Sequence, residues 1–192
     1  MESNKMDKTR LEAFSDGVIA IILTIMVLEL KVPHESDATA LWKLMPVFLD
    51  YTLSFLVVAI MWVNHHHFMR AFRVVTTNLL WLNINLLFWM SLIPFATAWM
   101  GVHPDASLPV AVYGLDLTLC SIAFWLLRWE LLRQTKDTDM YGYHHRVQLK
   151  NSLSLLGYAA SVGLAFFSIE ISYAIFVIIP IAYFLPERKL TE

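Results

Sequence analysis

Six stretches of 15 to 22 mainly apolar residues run through this chain: Phe14–Val32, Met45–Val63, Leu79–Met100, Leu108–Leu127, Leu153–Phe167 and Ile171–Leu185. A hydrocarbon core about 30 Å thick needs roughly 20 such residues in a helix, whose backbone polar groups are then satisfied within the helix itself. The pattern predicts an all-α membrane protein in which residues 1–192 form a single six-span domain with short polar connections. Composition excludes the main alternatives. With 58% hydrophobic and 16% charged residues, a soluble globule of 192 residues could not hide its apolar surface. Cys120 is the single cysteine, which rules out an internally stapled extracellular scaffold. A net charge of -2, with basic residues scattered among apolar runs, gives no nucleic-acid surface.

The fifth run must begin near Leu149 to cross a bilayer, which takes Lys150 and Asn151 to the water interface. Ser168, Glu170 and Ser172 then form a tight hairpin to the sixth; reading the two runs as one broken helix would give five spans instead. Lysine and arginine test the six-span count, because cytoplasmic loops carry their excess. With the amino terminus inside, twelve of the 14 basic residues are cytoplasmic and only Lys31 and Lys43 are outside. Both termini are then cytoplasmic, in a cell inner (plasma) membrane. Glu2, Asp7, Glu12 and Asp16 precede the first run and no small-residue cleavage site follows it, so it is expected to be a permanent span and not a secretory signal.

Polar groups beside the spans are expensive unless paired. The densest set is Arg10, Glu12, Ser15 and Asp16 at the start of the first run. If Ser15 or Asp16 capped the helix, too little length would remain, whereas Asp7 as cap leaves Ser15 and Asp16 inside the helix, bonding to other spans. Candidate partners are Asn64, His65, His66, His67, Arg70 and Arg73 at the inner end of the second span, and Asn78, Asn83 and Asn85 entering the third. Read plainly, they are interhelical glue. Three adjacent histidines point about 100° apart on a helix, so a metal site would need His144 or His145 as well, and no metal or cofactor is expected.

Steps of three and four from Phe14 reach Gly17, Ile21, Thr24 or Ile25, and Leu28, with Asp16, Ala20, Leu23 and Val27 assigned to the opposite face. Such a stripe is a packing seam, a lipid face or, repeated around an axis, the lining of a narrow apolar conduit that gates by dewetting. Gly157, Ser161 and Ala165, four apart, let a second helix approach the fifth span closely.

The string Arg10, Phe14, Ser15, Asp16 followed by Ile21, Thr24, Ile25 and Leu28 resembles the signature of the endosomal and lysosomal potassium channel family in its bacterial branch. The His65, His66, His67 run and Asn85 with Pro94, Phe95 and Thr97 support the likeness. The resemblance implies a homotetramer with the first helix of each copy around a central pore, conducting potassium over sodium without a Thr-Val-Gly-Tyr-Gly filter. Val112-Tyr113-Gly114 is the nearest approach to that filter, and it lacks the Thr and the Gly that precede its Val and its Tyr. By the same likeness Ile21 forms the tightest ring, Ile25 and Leu28 widen it outward, Gly17 lines it inward and Thr24 offers hydroxyls. Arg10, Phe14, Ser15 and Asp16 fix the pore helix, with His65, His66, His67 and Asn85 as the polar network around it. Two alternatives stand beside this reading: a proton-coupled secondary transporter using Asp16 and His65 to His67, and a membrane enzyme or haem protein using the histidines.

Overall fold

The computed structural model of the chain describes residues 8–72, 74–134 and 138–184. All its regular elements are helices, with no strand among the described residues: α1 (Lys8–Leu28), α2 (Ala38–Lys43), α3 (Met45–Ala71), α4 (Thr77–Met90), α5 (Ile93–Val102), α6 (Ser107–Gln134), α7 (Thr138–Leu164) and α8 (Ile169–Phe184). Asp7, expected to cap the first helix, lies outside the described residues, as do Arg73 and the side chains of His144 and His145. Four rods, Lys8–Leu28, Met45–Arg70, Thr77–Val102 and Ser107–Arg133, are long and apolar enough to cross a membrane.

The third rod is α4 and α5 end to end. Pro94 sits in the first turn of α5, where its missing N–H costs little, and the chain crosses the join through tight turns, with the Leu92 amide donating to Trp89 O at 3.0 Å. The short α2 starts where Asp37 accepts the Ala40 amide at 2.8 Å. The second rod runs past its expected end at Val63 to Ala71, so all three histidines are inside α3.

Helices α7 and α8 form an antiparallel hairpin, not one broken rod: Ser172 Oγ donates to Ser161 O at 2.9 Å, and Ser154 and Tyr183 hydroxyls meet at 3.2 Å further along. The small-residue stripe of α7 serves two neighbours. A Cβ on Gly157 would stand 2.8 Å from Ile179 of α8, while Ser161 faces Gly114 of α6, whose Cβ would stand 2.5 Å from the Ser161 hydroxyl. Gly114→Val therefore overpacks the α6–α7 contact and should cost about 1–3 kcal/mol, read as a lower melting temperature in detergent.

Helix α6 is the centre of the bundle, with Leu117, Cys120, Ala123, Leu127 and Leu131 all buried, and it packs on α4, α5, α7 and α8. Helix α1 lies at the perimeter and packs chiefly against α3, α4 and α5.

Candidate pore helix and its anchors

One face of α1 is committed to the protomer and the other is not. Leu11, Ser15, Ile19, Ile22 and Met26 are buried, at the three- and four-residue steps of a packed stripe. The residues Phe14, Gly17, Ile21, Thr24, Ile25 and Leu28 are all exposed, Ile21 at 58% and Leu28 at 68%. A Cβ on Gly17 would meet nothing within 4 Å. The Thr24 hydroxyl donates to Ile21 O at 2.9 Å, which leaves its oxygen lone pairs free on the exposed face. The face assigned as opposite needs correcting. Ala20 and Val27 are exposed and extend the open arc, whereas Asp16 and Leu23 lie half-buried at its edge.

The polar end of α1 is fastened at three levels. Lys8 Nζ donates to the carbonyls of Arg70 at 3.1 Å and Phe72 at 3.0 Å, at the end of α3 where backbone acceptors lack helix partners. One turn and more above, the Ser15 hydroxyl donates to Leu11 O at 2.9 Å and accepts the Asn83 amide at 2.9 Å. Asn83 Oδ1 in turn lies 2.7 Å from His65 Nε2, and since the amide oxygen can only accept, Nε2 carries the proton. Ser15, Asn83 and His65 are all buried, so α1, α4 and α3 share one fully enclosed polar chain. Beside it, Asp16 Oδ1 accepts the Trp62 indole N–H at 2.9 Å.

Ser15 and Asp16 thus stand inside the helix and bond to other helices, as their position in the sequence required. Other expected members fall elsewhere. Arg10 is exposed on the open arc of α1 and bonds to no described residue; Lys8 makes the fastening expected of it. Of the three histidines only His65 joins the chain: His66 stacks near Trp62 at 5.9 Å and His67 is exposed, because neighbours on a helix diverge. Asn85 is half-buried and makes no hydrogen bond among the described residues. Asn83 takes its place, since the buried stripe of α4 is Leu79, Asn83, Leu86, Leu87 and Met90, and a four-residue step from Leu79 reaches Asn83 and passes over Asn85.

A second polar set escaped sequence reading. Thr97, Ser54 and Tyr113 hydroxyls link α5, α3 and α6 at 2.8 and 2.9 Å, and Tyr173 reaches Asp50 at 3.5 Å. Asp116 of α6 is buried with neither carboxyl oxygen partnered. Among the described residues no three His, Cys, Asp or Glu side chains converge as metal ligands.

Residues 10–94, which hold α1, the Trp62 and His65 anchors and Asn83, match the family model of the endosomal/lysosomal potassium channel TMEM175. A potassium channel of Chryseobacterium sp. (strain P1-3) is 39% identical over 187 residues, covering 97% of each chain. The chain belongs to the TMEM175 family. The fold agrees: the crystal structure of a lysosomal potassium-selective TMEM175 homologue from Chamaesiphon minutus superposes with a TM-score of 0.83, at 28% identity, over 92% of this chain and 95% of that one. The mouse endosomal/lysosomal proton channel TMEM175 is 29% identical over 206 residues, a match that spans 94% of this chain and 41% of the mouse protein. As a TMEM175 family member the chain is a multi-pass membrane protein and a cation channel, not an enzyme.

Proposed function

We propose that the chain is a potassium-selective channel in which four copies bring the exposed face of α1 to a common axis, with no cofactor and with K+ as the permeant ion. The observation that carries this is the division of α1 into a packed stripe and an open stripe of Gly17, Ile21, Thr24, Ile25 and Leu28. A helix anchored this firmly at its polar end, with its aliphatic side chains left uncovered, is set to present those side chains to other copies of itself. Ile21 makes the narrowest ring, Ile25 and Leu28 open it outward, and Gly17 widens the inner side.

Isoleucine offers no oxygen to replace a hydration shell, so discrimination comes from width, partial dehydration and the Thr24 oxygens beside the ring. Potassium sheds water more cheaply than sodium and is favoured. Six spans per copy, both termini in the cytoplasm and a plasma-membrane location complete the reading, on the charge bias of the loops. A proton-coupled transporter is less well supported. Asp16 is engaged by Trp62 and His65 by Asn83, and among the described residues no hydrogen bond links the two sites.

Purified protein in a planar bilayer with a potassium and sodium gradient tests the proposal. Current linear in driving force, reversing near the potassium potential, with a detergent-complex mass of four chains, is expected. Flux that needs a coupled counter-gradient, reversal midway between the two cations, or a monomeric complex would each overturn it.

A further inference from the structure

We infer that a buried row of hydroxyls, Thr97, Ser54 and Tyr113, is a positioning device for selectivity: it fixes the α3–α5 seam on which the outer half of α1 rests, and so the width at Ile21 and Thr24, an assignment that rests on the ring reading proposed above. The two halves of α1 are held differently. Lys8, Ser15 and Asp16 fasten the inner half to other helices. Between Gly17 and Leu28 the sole polar side chain is Thr24, which bonds within its own helix. Ile19, Ile22 and Met26 are buried there, so packing alone sets where the outer half lies.

The surface it packs on is unusually well fixed. A Cβ on Gly101 of α5 would stand 3.2 Å from the Val47 Cα of α3, so the two backbones touch at their outer ends. One turn inward along α5, Thr97 Oγ1 lies 2.8 Å from Ser54 Oγ of α3, which lies 2.9 Å from the Tyr113 hydroxyl of α6. Thr97 is also tied to Ile93 O of its own helix at 2.7 Å. Each hydroxyl both donates and accepts, so the row links three helices without a break. All three residues are buried, which removes water as a competitor and makes an unpaired hydroxyl costly. Tyr113 is steadied in turn, its ring edge-on to Phe176 of α8 at 4.9 Å between centres, so the seam is pinned to the central helix.

The row stands at the depth of the ring's outer side. Bonds pair the inner half of α1 with α3 and α4, at Asp16–Trp62 and at Ser15–Asn83–His65. Along α3, Ser54 is about 16 Å of helix outward of His65, and the same rise along α1 from Ser15 reaches Met26. Counted from the Asp16–Trp62 bond, the level of Ser54 is that of Thr24. The rod of α4 and α5 runs parallel to α1, so α5 meets α1 beyond Ser15, where Ile22 and Met26 are packed. Parting α3 from α5 therefore shifts that half of α1, and a wider ring strips less water from sodium. The three hydroxyls are enclosed by the protomer and act through α1, not on the ion.

The test is the potassium-over-sodium permeability ratio of the whole protein in planar bilayers, read from reversal potentials. Thr97→Val keeps the shape and removes the hydroxyl, and should lower the ratio about 2- to 30-fold, the range over which residues remote from a site modulate it. Tyr113→Phe keeps the ring against Phe176 and leaves both seam helices unaltered, so it carries the test if Thr97→Val fails to fold; the ratio should fall in the same direction. Thr97→Ser restores the hydroxyl and should hold the wild-type ratio. Thr118→Val is the structural control: Thr118 is a buried hydroxyl of α6 that donates only to Gly114 O of its own helix, at 2.7 Å, so its loss should lower the melting temperature without moving the ratio. A wild-type ratio in Thr97→Val and Tyr113→Phe, or an equal fall in Thr97→Ser or Thr118→Val, would overturn the assignment. Ile21→Asn in the same membranes tells the two failures apart. If it alters permeation while the seam variants do not, the seam has no such role and the ring stands; if none of them alters it, both readings fall.

Discussion

Ile21→Asn should raise the single-channel current about tenfold and weaken discrimination against sodium. The argument starts from where Ile21 is not. Its side chain is 58% exposed and belongs to no packed layer of the protomer, so its replacement leaves the bundle intact apart from a small loss of helix propensity. In a ring of copies the same change puts amide groups where only branched aliphatic carbon had been. Water can then remain in the constriction, and an ion no longer has to shed as much of its shell. A barrier lowered by only about 1.4 kcal/mol gives the tenfold rise, and the sodium penalty, which is the larger dehydration cost, falls most. Bilayer recordings of wild type and variant under mixed potassium and sodium check both effects. Leu156→Asn is the matched control: Leu156 is 66% exposed on α7, away from the proposed axis, and its replacement should leave conductance and reversal potential unchanged. Unaltered permeation in Ile21→Asn would remove Ile21 from the ring.

The sequence made α1 legible because its two faces differ in chemistry as well as in period. Ile21, Thr24, Ile25 and Leu28 fall on one stripe by counting, and Ser15 and Asp16 had to be inside the helix to leave it long enough. Counting from Phe14 does not show how wide the open arc is, so Ala20 and Val27 fall to the opposite face by periodicity although they are exposed: alanine and valine are equally at home against protein, lipid or a narrow pore. The polar network was harder for a different reason. Asn83 and Asn85 are two residues apart, about 200° around the helix, and both read as amides in an apolar run. Only the phase set by Leu79, Leu86 and Met90 separates them. Lys8 went unread because it caps backbone carbonyls of α3, acceptors that no residue type announces. Asp50, Ser54, Thr97, Tyr113 and Tyr173 are scattered over four helices, and their meeting is a product of tertiary packing, which no local spacing encodes.

Asn83→Leu tests the largest structural claim, that a single amide sets the rotation of α1. The substitution keeps the branched shape and orphans the His65 N–H inside the bundle, along with an acceptor site on Ser15, at about 1–3 kcal/mol for each unsatisfied group. Hydrogen bonds between membrane helices average only about 0.6 kcal/mol, so the unpaired His65 donor, and not the lost bond, dominates. The expected result is a clear fall in melting temperature together with loss of conduction, because the stripe that reaches the axis depends on how α1 is turned. Rotation by one residue would replace Ile21 with Ile22, which is 3% exposed and packed inward in the native arrangement. Pairing the variant with His65→Leu separates the two explanations. If the network is the cause, the double variant removes the orphaned donor and should be more stable than the sum of the single losses implies. It should still fail to conduct, since the Asn83–Ser15 link that fixes α1 remains broken. Strictly additive losses in melting temperature would mean that His65 and Asn83 stabilise the bundle independently. Conduction at the wild-type level in Asn83→Leu would mean that Lys8, Asp16 and the Ile19, Ile22 and Met26 stripe hold the rotation without the amide.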